Sequence, residues 1–176
     1  MWRAAWLALG LLALAGVARA ADAVPTPGAA CALPGGGEVT AVVSLTGKTL
    51  CLTPDVLKDL DRAEATMINH SQSHTYEGVR LTEILRLVGV PTGARLHADA
   101  DRDYLVVTGK DGFRAVFSLA ETDSSVQHHA VILADRMDGA PLDAHDAPFR
   151  LVVDGDQKPA RSVYGVMRIE VKTLGP

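Results

Sequence analysis

Downstream of residue 37 the stretches that read as strands or helices are short, several of them closed by Gly, Pro or Asp. Runs this short cannot build long helices, and they alternate irregularly between strand and helix spacing. Glu38 to Thr46, Thr49 to Leu52, Ala63 to Asn69 and Leu96 to Ala98 read as strands, the first rich in β-branched residues. Tyr104 to Thr108 and Phe113 to Phe117 read as a hairpin around Gly109-Lys110-Asp111-Gly112, and strands follow at Val131 to Ala134, Phe149 to Val153 and Gly165 to Lys172. Helices are expected after Thr53, which can cap Pro54 and Asp55, and over Val79 to Val88, where Leu81, Ile84, Leu85 and Val88 share a face before Gly89 and Pro91. Ser118 and Glu121 match a capping box. The fold class is therefore α+β, with mixed, mainly antiparallel sheets and short helices, because strands and helices do not alternate regularly enough for a doubly wound sheet.

The N-terminus has a different composition. Arg3, the apolar run Leu7 to Val17 and the small-x-small triplet Ala18-Arg19-Ala20 form the three regions of a signal peptide over residues 1–20. The uncharged run is short for a membrane span, which needs about 20 apolar residues. The expectation is export to the periplasm, with no span remaining after cleavage. Residues 21–37 form a Pro- and Gly-rich lead-in, and residues 38–173 form one domain with a core of its own. Cleavage takes away two arginines and no acid, leaving 15 basic against 21 acidic residues, a net charge of −6. No basic stripe is present to neutralise phosphates, so nucleic acid is not expected as a partner.

Cys31 and Cys51 are the two cysteines, and both belong to the exported portion. An oxidising compartment favours a disulfide between them, closing a loop of about twenty residues; two free or metal-binding thiols are the alternative. His70 and His74 have a spacing that on a helix would present two imidazoles to zinc or copper. Gly78 and the neighbouring serines favour a loop instead, with both histidines as surface polar residues. His128 and His129 are adjacent, so on a strand they face opposite ways. No recognised nucleophile motif and no phosphate-binding glycine loop occurs.

The last third carries a more specific pattern. Leu133-Ala134, Asp138-Gly139 and Pro141-Leu142 are followed by a Pro148-to-Val153 strand and an Arg-x-Val-x-x-Val-x-Arg-Ile-x-Val ending from Arg161 to Val171. Upstream, Gly78, Val79, Leu81, Ile84, Leu85, Gly89 and Val90 complete the series. In order and spacing these motifs, across Glu38 to Val171, resemble the molybdopterin-binding domain of the sulfite oxidase family. The resemblance implies that family's fold, redox chemistry at molybdenum held by a cysteine thiolate, and basic residues near the end of the domain that hold the pterin phosphate or an anionic substrate. Arg161, Lys158 and Arg150 match that basic role, and His70 lies on the loop that lines the cofactor pocket in the family. For Arg161 the competing role is ion pairing with Asp154 or Asp156.

In catalytic members the metal-binding cysteine precedes the Gly-Val-x-Leu helix. The corresponding segment here, Ala65 to Gly78, has none, and Ser, Thr or His does not replace a thiolate. The expectation is a non-catalytic domain that binds a small anionic ligand or a periplasmic protein partner in the former cofactor cleft, with neither metal nor cofactor assigned. A genuine molybdopterin-dependent oxidoreductase with atypical ligation is the alternative, and a histidine copper or zinc site a third.

Overall fold

The computed structural model describes Cys31, residues 40–97 and residues 100–175. The expected signal peptide and nearly all of the lead-in lie outside these residues. Ten strands are described: β1 (Thr40–Val43), β2 (Thr49–Leu52), β3 (Arg62–Asn69), β4 (Gln72–Arg80), β5 (Asp103–Gly109), β6 (Arg114–Ser118), β7 (Val131–Met137), β8 (Ala140–Pro141), β9 (Arg150–Val153) and β10 (Val166–Thr173). Two short helices join them, α1 (Pro54–Leu57) and α2 (Leu81–Leu87), with single 3-10 turns at Gly93–Arg95, Ala100–Arg102 and Ala120–Thr122. The fold is α+β, and every strand pair is antiparallel except β1 with β10.

The first sheet runs β2-β1-β10-β5-β6. The second runs β3-β4-β7, with β8 and β9 both pairing with β7. Between the sheets lies the main core. Val42, Leu105, Val107, Phe117 and Ile169 of the first sheet meet Val79, Leu133, Leu151 and Val153 of the second, and α2 adds Leu81, Ile84 and Leu85. The spacing of those three is the helical period that the sequence shows.

The second sheet also curls on itself. The free edge of β3 meets the segment that follows β9: Gly155 N–H donates to the Thr66 carbonyl (2.8 Å), Ile68 N–H donates to the Asp156 carbonyl (3.1 Å), and Thr66 N–H donates to the Asp154 carboxylate (2.8 Å). A separate interior of Ala65, Met67, Tyr76, Ile132, Ala134 and Val152 results. This makes β9 buried on both faces, with Leu151 and Val153 in the main core and Val152 in the second interior. Arg150, two residues from Val152, lies on that second face.

Several sequence expectations shift. Residues 70–78 form the turn and second arm of a hairpin, where the polar run His70 to Gly78 suggests a loop. His70 and Ser71 make the turn, both at positive φ (48° and 65°). Because β4 extends to Arg80, α2 begins at Leu81 and not at Val79. The helix after Thr53 is a single turn. Leu96 and His97 form no strand, and Ala98 lies outside the described residues. Cys31 and Cys51 are joined as a disulfide, with alpha carbons 5.5 Å apart, tying the lead-in to β2.

Gly78 shows how tightly the second sheet closes. The β4–β7 register slips between Glu77 and Gly78, and a Cβ on Gly78 would overlap the Leu133 carbonyl oxygen. The nearest atoms are all β7 backbone, so no flexible side chain is there to yield. Gly78→Ala is therefore expected to destabilise the fold by about 3 kcal/mol or more, measured by denaturant unfolding.

Candidate functional site

Arg150 is the largest of the fully buried side chains, with 2% of its surface exposed. A guanidinium does not lose its proton in a protein, so burying it demands a counter-charge and acceptor partners. The loop before β9 supplies the charge. Arg150 Nη1 donates to Asp146 Oδ2 at 2.9 Å. Asp146 is fixed in turn by Asp143, whose carboxylate accepts the backbone N–H groups of His145 (2.9 Å) and Asp146 (3.0 Å). Arg150 Nε donates to Ser162 Oγ (2.9 Å), and that hydroxyl donates to the Leu151 carbonyl (2.7 Å). The guanidinium carbon lies 4.1 Å from the Tyr164 ring centre and 5.1 Å from that of Tyr76, within cation–π range of both.

Two polar atoms in this nest have no hydrogen-bond partner among the described residues: Arg150 Nη2 and the Tyr76 hydroxyl, both buried. Burial pushes the Tyr76 phenol up against the opposing pull of Arg150, so the hydroxyl keeps its proton and remains a donor at neutral pH. At the outer side His145 Nδ1 meets Asp146 Oδ1 at 2.9 Å, and its ring packs on Tyr164 at 4.8 Å. The His145 side chain is 68% exposed and forms the surface of the nest. What the arrangement offers chemically is one guanidinium N–H edge and one phenol O–H, backed by aromatic rings.

Asp143, His145 and Asp146 place ligand atoms within 4.8 Å of one another. Their donors are already committed, however. Asp146 is engaged at both oxygens, one of them by a guanidinium that would repel a cation. The trio builds the arginine's counter-charge.

The other residues singled out from the sequence lie elsewhere. Arg161 makes a two-pronged pair with Asp156 (2.9 and 3.0 Å), reaches Glu121 at 3.2 Å and lies over Phe117. The Asp156 hydrogen bonds raise its pKa further, opposed by partial burial. Of the two acids that the sequence offers Arg161, Asp154 and Asp156, it pairs with Asp156, and Glu121 is a second ion-pair partner. Arg161 and Arg150 share no partner. Lys158 is exposed, and no hydrogen bond or ion pair of it is seen among the described residues. His70 sits exposed on the β3–β4 turn, whereas His74 is part-buried with its Nδ1 2.7 Å from Asp138 Oδ2. The two histidines do not combine into a metal-ligand cluster among the described residues. Arg62 with Asp135 (3.0 and 2.5 Å) and Arg136 with Glu77 (3.9 Å) line a shallow depression whose charges already match.

Sequence reasoning reached Arg150 and missed Tyr76, Asp146, His145, Ser162 and Tyr164. One signal was available. An arginine inside Phe149 to Val153, an otherwise apolar strand, implies a buried charge, and Asp146 is the nearest preceding acid.

Two outcomes are expected. Asp146→Ala strands a buried cation and should cost about 3–5 kcal/mol, whereas Arg150→Met combined with Asp146→Leu should recover most of that loss in a denaturant double-mutant cycle. The Asp138 carboxyl is held below its usual range by the His74 hydrogen bond, then by the Thr75 N–H. Its stabilising contribution is thus complete above the ordinary carboxylate value of about 3.9 and fades as pH falls through the depressed folded value. The stability gap between wild type and Asp138→Asn should be steady from neutrality down to about pH 5 and narrow at lower pH.

Comparison with known proteins gives the family. No curated protein matches the chain. Among solved structures it is similar to the sulfane dehydrogenase SoxCD from Paracoccus pantotrophus, with a TM-score of 0.58 and 20% identity. The match covers 77% of this chain and 39% of that one, so this chain spans about two fifths of that relative's length. At that identity the likeness is one of fold. A family profile described as the oxidoreductase molybdopterin binding domain matches residues 61–174, and the chain belongs to that family.

Proposed function

We propose that this chain is a non-catalytic member of its family, exported to the periplasm, which binds a small anionic ligand at the Arg150 nest. The observation that carries the reading is the state of the sulfurs. The chain has two cysteines, and each is bonded to the other. A sulfur in a disulfide is not a thiolate and does not ligate a metal. Residues 65–78, the segment that the resemblance assigns to the ligating cysteine, form a hairpin closed by a tight His70-Ser71 turn. The residues present do not fit molybdenum held in the family's way.

Anion binding is supported by the two unpartnered polar atoms. Arg150 Nη2 and the Tyr76 hydroxyl each lack a partner that burial normally requires, and each can donate to an oxygen. Export is supported by the three-part N-terminus, and an oxidising compartment suits the disulfide.

The test is the molybdenum and pterin content of mature protein exported from a host that makes molybdopterin, measured beside Cys51→Ser. The expected result is well-folded protein without stoichiometric molybdenum or pterin. Cys51→Ser should lose about 3 kcal/mol, seen as a melting temperature lower by several degrees. Stoichiometric molybdenum that disappears in Cys51→Ser would overturn the reading in favour of a true oxidoreductase. Stoichiometric copper or zinc lost on replacing His70 and His74 would favour a metal carrier.

A further inference from the structure

We propose that residues 21–30, the part of the lead-in before Cys31, dock across the outer face of the first sheet. The Cys31–Cys51 disulfide sets them at one edge of that face, and an ion pair between Asp22 and Arg114 holds them at the other.

Strand register separates the two faces of the sheet. Val42, Ile169 and Val107 are direct partners and point into the main core. One residue along each strand, the side chains point the other way. Cys51, Ala41, Arg168, Thr108 and Arg114 form one outward row from β2 to β6, and Val43, Glu170, Val106 and Val116 form the next. The apolar residues of α1 and α2 pack on the main core and not here. Val43 and Val106 are half-buried, and Val116 is 63% exposed. A row of valines open to water in this way is a surface for an apolar partner.

Tether, reach and charge all favour the lead-in as that partner. Cys31 lies on this face, bonded to Cys51 and clustered with Ala41, so the ten residues before it start at the β2 edge. Strands about 4.8 Å apart put the β6 edge about 20 Å away. Pro25 and Pro27 favour extended backbone, which advances about 3.1 Å per residue. Val24, seven residues before Cys31, can then lie at Val116, and Asp22, nine residues before it, at Arg114. Proline has no N–H for a ladder, so the segment suits the face of the sheet better than the free edge of β6. Arg114, Arg168 and Lys172 against Glu170 give the face three positive charges and one negative. Glu170 is 3.3 Å from Arg168 and 3.9 Å from Lys172, whereas Arg114 has no acidic partner among the described residues. Asp22 is the one acid in residues 21–30. A symmetric dimer through the same face would set its positive charges against themselves.

The test is hydroxyl-radical footprinting of protein purified after export, with oxidation of Val116, Val106 and Tyr104 read by mass spectrometry against Leu87 of α2. Wild type is compared with Asp22→Lys, Arg114→Asp and the variant carrying both. Each single change is expected to raise oxidation of the outer face about two- to fivefold, the change in docking equilibrium that loss of a surface ion pair brings. The double variant, with its charges exchanged, is expected to return to the wild-type level. Both positions are on the surface, and unchanged melting temperatures will show that the fold is intact. Equal oxidation in all four proteins would overturn the proposal, as would a double variant left as oxidised as the singles. Protection that vanishes on dilution, with a dimer in sedimentation velocity, would give the face to a second copy and overturn it too.

Discussion

One buried positive charge organises much of this molecule. Left alone in the interior, the Arg150 guanidinium would cost several kcal/mol, so the chain around it has to supply partners. They come from three places: the loop before β9 with Asp146, the segment after it with Ser162 and Tyr164, and β4 with Tyr76. Residues 143–148 and 161–165 are consequently built segments and not free connections. The Gly165 N–H donates to the Asp146 carbonyl, and the Leu151 N–H donates to that of Val163. A charge that must be satisfied thus fixes the entry to β9 and the approach to β10 together.

Closure of the second sheet is what makes those partners necessary. A flat sheet would leave the face bearing Arg150, Val152 and Tyr76 in contact with water, and the guanidinium could hydrate itself. Closure through Thr66, Ile68 and the residues after β9 withdraws that face from solvent. Ala65 and Ala134 keep the interior narrow, and Gly78 lets two backbones approach where any side chain would collide. Apolar burial in the interior and satisfaction of Arg150 therefore support each other, and neither is complete without the closing contacts.

Local periodicity made the first sheet legible in the sequence. The β5–β6 hairpin shows clean alternation, with Leu105, Val107, Ala115 and Phe117 inward, and the last strand alternates from Ile169 to Val171 after a register shift near Val166. The hairpin of β3 and β4 was half legible. β4 is written in polar letters, and Tyr76 and Gly78 do their work through tertiary neighbours that no local pattern records. The helical spacing of Leu81, Ile84 and Leu85 was read correctly, but strand pairing with β7 holds Val79 and Arg80 out of the helix. At the site, the sequence pointed to three basic residues without ranking them. The structure distinguishes them by partners: Lys158 is exposed, Arg161 is neutralised at the surface, and Arg150 alone is buried with a donor to spare. Those partners lie on irregular segments, where no period exists to be read.

Belonging to a family settles the architecture and leaves the chemistry to the side chains. The chain carries a formal charge of −4, and its acids outnumber its bases. Its long-range field therefore opposes an approaching anion at low salt and is screened beyond about 8 Å at physiological ionic strength. An anionic ligand of the proposed kind would not be gathered from a distance by charge and would have to be held by contact alone. What surrounds Arg150 is two unpartnered donors and two aromatic rings beside a neutral ion pair. Added salt would screen that opposing field, while no excess positive charge in the nest would be screened with it.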